Sequence, residues 1–545
     1  MSEIIEETNT ERDPGRWMAL YSVIVAVLAV TLDGALLGLI APAIAQDLGV
    51  DAATIGLISS ISMLMLAAFI LGGGTLGDIY GRKRFLSYGL IGVIITSILA
   101  MLAPSAALLI PVRALSGIMA ALVNPLALAI IMVSFDKEER PKALGLYGAA
   151  LGAAAGLGTI VISFLNQQAG WRATFGLVLL LAVVGFIMVR RFVQESKAGG
   201  SKHIDWIGIL LAAGGLFAVV YGINQAAAQG FGSPVVLVPV GIGAVLLVLL
   251  VLYSKRTTEP ALRISLFQNK TFAVGVLLFL MMGFSSMGPY FQLSTYLQSL
   301  QRVSPIQAAL TLLPYTLSLL VFGILAGGWV GRFPNRLLIA GGLALMMLAL
   351  AALALWLNPA VGFWVYLVPL VLLGAGFSIA NIPRMNAVLA TAPPELAGAA
   401  SATNNASLQL GSSLGIAVMG ALFQGIARNA YTSDLTELGL GTAEIERSVE
   451  VLAAWLKANA GDVAAQFGIT VQQLEGVISN YQNAYTTGVA QALWIGAAVV
   501  AVGAILAWFT FQKRAETRSQ EPAPVSAEMG GDNSLKIASG DRAKS

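Results

Sequence analysis

The feature that most limits this chain is a series of apolar runs separated by short polar segments. A helix rises 1.5 Å per residue, so about 20 residues cross the roughly 30 Å hydrocarbon core of a bilayer. About 14 runs meet that length, at 17–40, 52–73, 85–103, 106–133, 143–165, 174–193, 204–224, 234–253, 271–297, 307–330, 336–357, 361–382, 399–424 and 488–511. Within lipid only helices and closed barrels satisfy their backbone groups, and runs of this length are helices. The expected fold class is all-α integral membrane, in keeping with 57% hydrophobic and 11% charged residues.

Orientation follows from the cations, because Lys and Arg in short loops mark the cytoplasmic side. One side holds Arg82, Lys83 and Arg84; Lys137, Arg140 and Lys142; Arg190, Arg191, Lys197 and Lys202; Lys255, Arg256, Arg263 and Lys270; Arg332 and Arg336; Arg384; and Lys513, Arg514 and Arg518. The opposite short loops offer Arg172 and Arg302. Both termini are then cytoplasmic, 1–16 as a tail and 512–545 as a polar, disordered one. Glu3, Glu6, Glu7 and Glu11 stand where a signal peptide would carry a basic start, so the first run is expected to remain as a helix. The net charge of +3 and pI near 9.0 thus reflect orientation, and no nucleic-acid partner is expected.

The exception to short loops is 427–487, on the outer side. Ile445, Val449, Leu452 and Leu456 recur there at helical spacing and suggest an amphipathic cap over the external mouth. An internal repeat is also visible. Gly73 to Arg82, between the second and third runs, matches Gly327 to Arg336, between the tenth and eleventh, and Asn124-Pro125 has a counterpart in Ile382-Pro383. The order reads as a six-helix bundle over 17–193, two inserted helices over 204–253, and a second six-helix bundle over 271–511.

No engine is encoded. With no cysteine and a single histidine, His203 in a cytoplasmic loop, neither thiolate chemistry nor a multi-His metal site is expected. No Gly-rich loop ends in Lys-Ser or Lys-Thr and no His-Glu-x-x-His helix occurs, so neither ATP, metal, cofactor nor an enzymatic reaction is expected. Any work must draw on an ion or substrate gradient.

Asp33 lies in the middle of the first run, where burying a charge costs several kcal/mol. Lipid depth destabilises the anion, which suits a carboxylate to taking and releasing a proton; the alternative is a structural partner for an Arg or a helix end. Arg113, in the fourth run, could tune such a proton, contact substrate, or snorkel to the outer surface. Gly148, Gly152, Gly156 and Gly158 form a ridge without side chains, read as close helix packing, and Gly411 and Gly415 take the equivalent place in the thirteenth run. Asn404, Asn405 and Gln409 either face a cavity or bond between helices, and Tyr290, Phe291, Gln292, Tyr296 and Gln298 either meet a ligand or pack.

These residues resemble the 14-helix drug:proton antiporters of the major facilitator superfamily, nearly end to end. The most specific match is Gly74-x-Leu76-Gly77-Asp78-x-x-Gly81-Arg82-Lys83, with Ile79 where the family often has Arg. Similar pieces are Trp171-Arg172-x-x-Phe175, Asp205-Trp206-Ile207-Gly208 and Pro260-x-x-Arg263-x-x-Leu266-Phe267-x-Asn269-x-x-Phe272. Arg113 stands in the family's helix 4 pattern with Ser116 replacing Gln, and Leu32-Asp33-Gly34-Ala35, with Gly38 and Pro42, follows the helix 1 pattern with small residues at two polar positions. Gly148, Gly152 and Gly156 match the antiporter motif, with Ala153 replacing its proline.

The resemblance implies two six-helix bundles and two inserted helices, a charge network at Asp78, Arg82 and Lys83 that gates between conformations, and proton transfer involving Asp33 and Arg113. It further implies a monomer in the cell membrane whose partners are protons, the lipid bilayer and a small amphiphilic substrate moved outward. Transport of a dedicated metabolite or lipid, and a non-transporting receptor on the same scaffold, are the alternatives.

Overall fold

The computed structural model describes residues 15–511 apart from 51, 137, 198–204, 231, 258–259, 261–262, 302, 304, 359–361, 394–395, 438–441, 456–459 and 468–469. Expectations for the two tails, Lys137, Lys202, His203, Arg302 and Leu456 lie outside the described residues, as do the side chains of Ala35, Gly38, Pro42, Ala153 and Val449.

The chain is helical throughout the described residues, apart from corners and an isolated bridge between Val330 and Phe333. The first half comprises α1 (Arg16–Leu48), α2 (Ala52–Tyr80), α3 (Arg82–Met101), α4 (Ala106–Ser134), α5 (Arg140–Ala169) and α6 (Trp171–Phe192). Next come α7 (Trp206–Gln229) and α8 (Pro234–Ser254). The second half holds α9 (Lys270–Ser299), α10 (Pro305–Trp329), α11 (Asn335–Trp356), α12 (Phe363–Leu389), α13 (Ala397–Glu437), the short α14 (Thr442–Trp455) and α15 (Ala460–Phe467), and α16 (Val471–Thr510). Among the described residues 13 helices are long and apolar enough to cross a bilayer. The remaining long helix, α5, has 30 residues and packs against α1 and α10.

Packing sorts these helices into two bundles of six. Helix α1 packs on α5 and α6, and α4 on α2 and α3; in the second half α9 packs on α13, α12 on α10 and α11, and α16 on α11 and α13. The α7–α8 pair lies against α2 and α13. One apolar core surrounds Val27, Leu90 and Phe175 and runs on into the second half at Ile382 and Ala400, and another surrounds Leu343, Leu350 and Val500 within the second half. Large apolar side chains such as Ile187, Leu237, Trp364 and Phe509 stay exposed. Lipid is the solvent that suits such a surface.

The internal repeat carries a physical device at matched corners. Gly81, between α2 and α3, and Gly331, between α10 and α11, both have positive φ (119° and 86°), a conformation that disfavours side chains. The inserted pair and its neighbour are capped by the family-like pieces. Asp205 accepts the Gly208 N–H at 2.8 Å to open α7, and Asn269 accepts the N–H groups of Thr271 and Phe272 to open α9.

Two helix limits depart from the sequence reading. Helix α13 runs on to Glu437 and α16 starts at Val471, so much of 427–487 continues the flanking helices. Val451 and Leu452 of α14 and Val463 of α15 bury against Tyr431, Leu435 and Leu474 on those extensions. Secondly, α12 continues through Pro383 to Leu389, which places Arg384 inside a helix with 0% exposure rather than in a cytoplasmic loop. Arg113 is therefore not the only cation within a span.

Candidate functional site

Between the bundles lies a cavity of about 340 Å³, lined from both halves. The first half contributes Asp33, Gly34, Ser62, Asn124, Tyr147, Gly148 and Gly152; the second contributes Phe279, Met287, Tyr315, Asn381, Met385, Asn404, Asn405 and Gln409. That volume falls within the range of small-molecule sites, and the lining mixes apolar walls with a few polar groups as such sites do.

Asp33, 3% exposed, is held from α4. Arg113 Nη1 donates to its Oδ1 at 2.5 Å and Ser116 Oγ to its Oδ2 at 2.5 Å, while Arg113 Nη2 reaches the Asp33 carbonyl oxygen at 2.9 Å. Arg113 and Ser116 are three residues apart on a helix and so share a face, which lets one helix satisfy both carboxylate oxygens. The Phe175 ring covers the guanidinium at 5.7 Å, tying the Trp171-Arg172-x-x-Phe175 piece to this pair. Of the readings left open for Arg113, snorkelling does not hold: it is 1% exposed and faces inward.

The second half has a cation but no such partner. Arg384 Nη1 donates to the Gly275 carbonyl at 3.0 Å and to Asn404 Oδ1 at 2.9 Å, and Nη2 to Asn381 Oδ1 at 2.8 Å. Its guanidinium lies 3.9 Å over the Phe279 ring. No carboxylate forms a salt bridge with it among the described residues. Asn381 and Arg384 were missed as site residues because Pro383 and an arginine together read as a span ending at a basic loop.

The halves close on each other at the end of the molecule that carries the basic loops. Asp78, at the end of α2, accepts the main-chain N–H groups of Gly398 and Ala399 at 3.1 and 3.0 Å, the free N-terminus of α13. It also binds Arg82, whose Nε and Nη2 lie 2.9 and 2.7 Å from Oδ1. Any side chain on Gly74 would run into the Gly398 carbonyl and Ala402. Leu76 is half-buried, and the N–H groups of Lys83 and Arg84, just after Gly81, donate to Glu195.

The glycine ridge of α5 forms the second seam between the halves. A Cβ on Gly152 would strike Leu319 of α10, one on Gly156 would strike Thr316, and Gly148 faces Ile382. Gly411 and Gly415 do something different: they admit the backbone of α9 at Leu280 and Phe284, within the second half.

The candidate ligand residues on α9 lie beyond the cavity. The Tyr290 ring lies tilted against that of Tyr315 at 5.4 Å, Gln292 is buried and donates to the Ile416 carbonyl, and Gln298 is exposed and bonded to Ser294. None of the three lines the cavity. Gln292 sits on the wrong face, and Gln298 lies about 16 Å along the helix from the cavity-lining Met287 at 1.5 Å per residue. Asn404, Asn405 and Gln409 do line it.

The tetracenomycin C resistance and export protein of Streptomyces glaucescens is 29% identical over 528 residues, 94% of this chain and 95% of its own. The puromycin resistance protein pur8 of Streptomyces alboniger is 31% identical over 427 residues, 77% of this chain and 84% of its own. The multidrug efflux pump LfrA of Mycolicibacterium smegmatis is 29% identical over 520 residues, 94% of this chain and 100% of its own. In fold the chain is similar to the human organic anion transporter MFSD10 (TETRAN), at TM-score 0.59 and 15% identity over 91% of this chain and 100% of that one. It is also similar to the proton:xylose symporter XylE, at TM-score 0.58 and 14% identity over 92% and 97%. Residues 23–416 match the Major Facilitator Superfamily as a whole, and with a two-bundle fold around a shared cavity the chain belongs to that superfamily.

Proposed function

We propose that this chain is a secondary transporter that exports small amphiphilic compounds in exchange for protons, by alternating access, as a monomer in the cell membrane with both termini cytoplasmic. The observation that carries the coupling is Asp33, buried at the cavity wall and bonded to both Arg113 and Ser116. A proton arriving from the cavity neutralises the carboxyl, dissolves the ion pair and leaves Arg113 to find other acceptors. That local change biases the two halves. Asp78 on the N-terminus of α13 is the contact that must release for the cytoplasmic side to open, with Arg82 and Lys83 completing the charged corner.

The direction of transport is supported by relatives whose names are resistance, export and efflux. The energy suffices: one proton crossing 100 mV contributes about 2.3 kcal/mol. At about 1.4 kcal/mol per tenfold, that holds a neutral compound roughly 50-fold uphill.

The test is flux of lipophilic dyes in proteoliposomes under an imposed pH gradient. Asp33→Asn, with an unchanged elution profile and melting curve, is expected to lose at least about tenfold of the gradient-driven flux, the scale of losing 1.4 kcal/mol of coupling. Undiminished flux in that variant removes Asp33 from the mechanism.

A further inference from the structure

We propose that Arg384 makes the second-half wall of the cavity a cationic cradle of hydrogen-bond donors, selecting amphiphiles that carry a negative charge or acceptor oxygens over cationic ones. The claim about binding stands on the cavity alone; its consequence for export rests on the transport reading above.

A guanidinium has five donors and no acceptor. Both asparagines beside Arg384 therefore turn their oxygens towards it, as the 2.9 Å contact to Asn404 Oδ1 and the 2.8 Å contact to Asn381 Oδ1 record. What each amide has left is its NH₂ group. Asn381 and Asn404 both line the cavity, and Asn404 Nδ2 is buried with no hydrogen-bond partner. A buried donor without an acceptor is costly, and a ligand oxygen at that wall removes the cost.

Charge points the same way. In the first half the Asp33 carboxylate is matched by Arg113, whereas among the described residues Arg384 has only neutral acceptors and the Phe279 face around it. The cavity therefore carries a net positive field while Asp33 is ionised, and low-dielectric walls sustain such a field. A cationic amphiphile meets both a repulsive charge and amides whose oxygens are already turned to Arg384. A phenolate, carboxylate or carbonyl oxygen meets complementary ones, while Met385 and Leu408 receive its apolar body.

Equilibrium binding to the full chain in nanodiscs decides this independently of flux. Fluorescein, a planar anion, and ethidium, a planar cation, are titrated at pH 7.5 by fluorescence anisotropy, with empty nanodiscs subtracted. Fluorescein is expected to bind at least tenfold more tightly. Asn404→Asp keeps the side-chain shape but sets a carboxylate against Arg384, and is expected to weaken fluorescein at least tenfold without weakening ethidium. Arg384→Gln tests the cation directly and should have the same effect on fluorescein. Should that variant fail to fold, Asn404→Asp decides alone. Equal or tighter binding of ethidium to the unaltered protein, no saturable binding of either dye, or fluorescein affinity unchanged in Asn404→Asp overturns the proposal. Selective binding of fluorescein without any gradient-driven flux would keep the cradle and sink the transport reading instead.

Discussion

The two halves of this molecule bury charge in opposite ways. In the first, Asp33 and Arg113 neutralise each other, with Ser116 on the remaining carboxylate oxygen. In the second, Arg384 is equally buried but is met by two amide oxygens, one backbone carbonyl and an aromatic ring. Related folds of six helices have thus reached one self-contained ion pair and one cation without a counterion among the described residues. A self-contained pair can be switched by a proton, because protonation removes one of its members. A cation solvated by neutral dipoles keeps its charge and serves better as a fixed feature that a ligand must complement.

The largest expected effect comes from breaking the pair. Arg113→Met leaves the Asp33 carboxylate buried without its cation, and removing one partner of a buried ion pair costs about 3–5 kcal/mol. Denaturant melts of the purified protein should show that loss, and the double variant Asp33→Asn, Arg113→Met should recover most of it while remaining uncoupled. A double variant as unstable as the single one would mean that Arg113 matters through its packing against Phe175 and not through its charge.

The matching cut in the second half should be milder. Arg384→Met strands three acceptors but no charge, and orphaned neutral groups cost roughly 1–3 kcal/mol before any cavity water repays them. The same melts should rank Arg384→Met as more stable than Arg113→Met. The reverse ranking would break the contrast between the halves, since it would require Arg384 to hold an anion that the neighbouring side chains do not supply.

Most of the fold was legible because lipid imposes a length on every crossing, and the apolar runs of this chain respect it. Asp33 and Arg113 could be singled out because each is a charge at lipid depth, yet 80 residues separate them and no local spacing announces that they touch. Ser116 reads in sequence as a departure from a family glutamine; in space it is the second donor to Asp33, a role its short side chain fills at 2.5 Å. Arg384 shows the limit of the positive-inside rule. The rule ranks arginines by nearness to a span end, and it cannot see the amides of Asn381 and Asn404 that make an arginine tolerable further in. Gln292 and Gln298 lie away from the cavity for a related reason: residue type marks a possible ligand contact, but position and face on α9 decide which side chains reach the cavity.

A third ion pair sharpens the contrast by being exposed. Beyond the apolar part of α1, Asp47 Oδ2 lies 2.6 Å from Arg172 Nη1 and 3.2 Å from Trp171 Nε1, with both charged side chains about half exposed at 46% and 40%. The hydrogen bond from Arg172, helped by that from Trp171, holds the Asp47 carboxyl below its ordinary range. A depressed carboxylate stabilises the folded protein above its unfolded value and loses that contribution as pH falls through the folded one. The window therefore lies below the usual carboxylate range, well under neutral pH. Asp47→Asn should then shift the melting temperature by the same small amount at every pH from 5 to 8, and leave gradient-driven flux unchanged, because water and salt screen this pair. A pH-dependent change in flux between pH 5 and 8 would show that proton coupling reaches the Leu48 end of α1, and the buried pair at Asp33 would lose its claim to be the one switch among these charges.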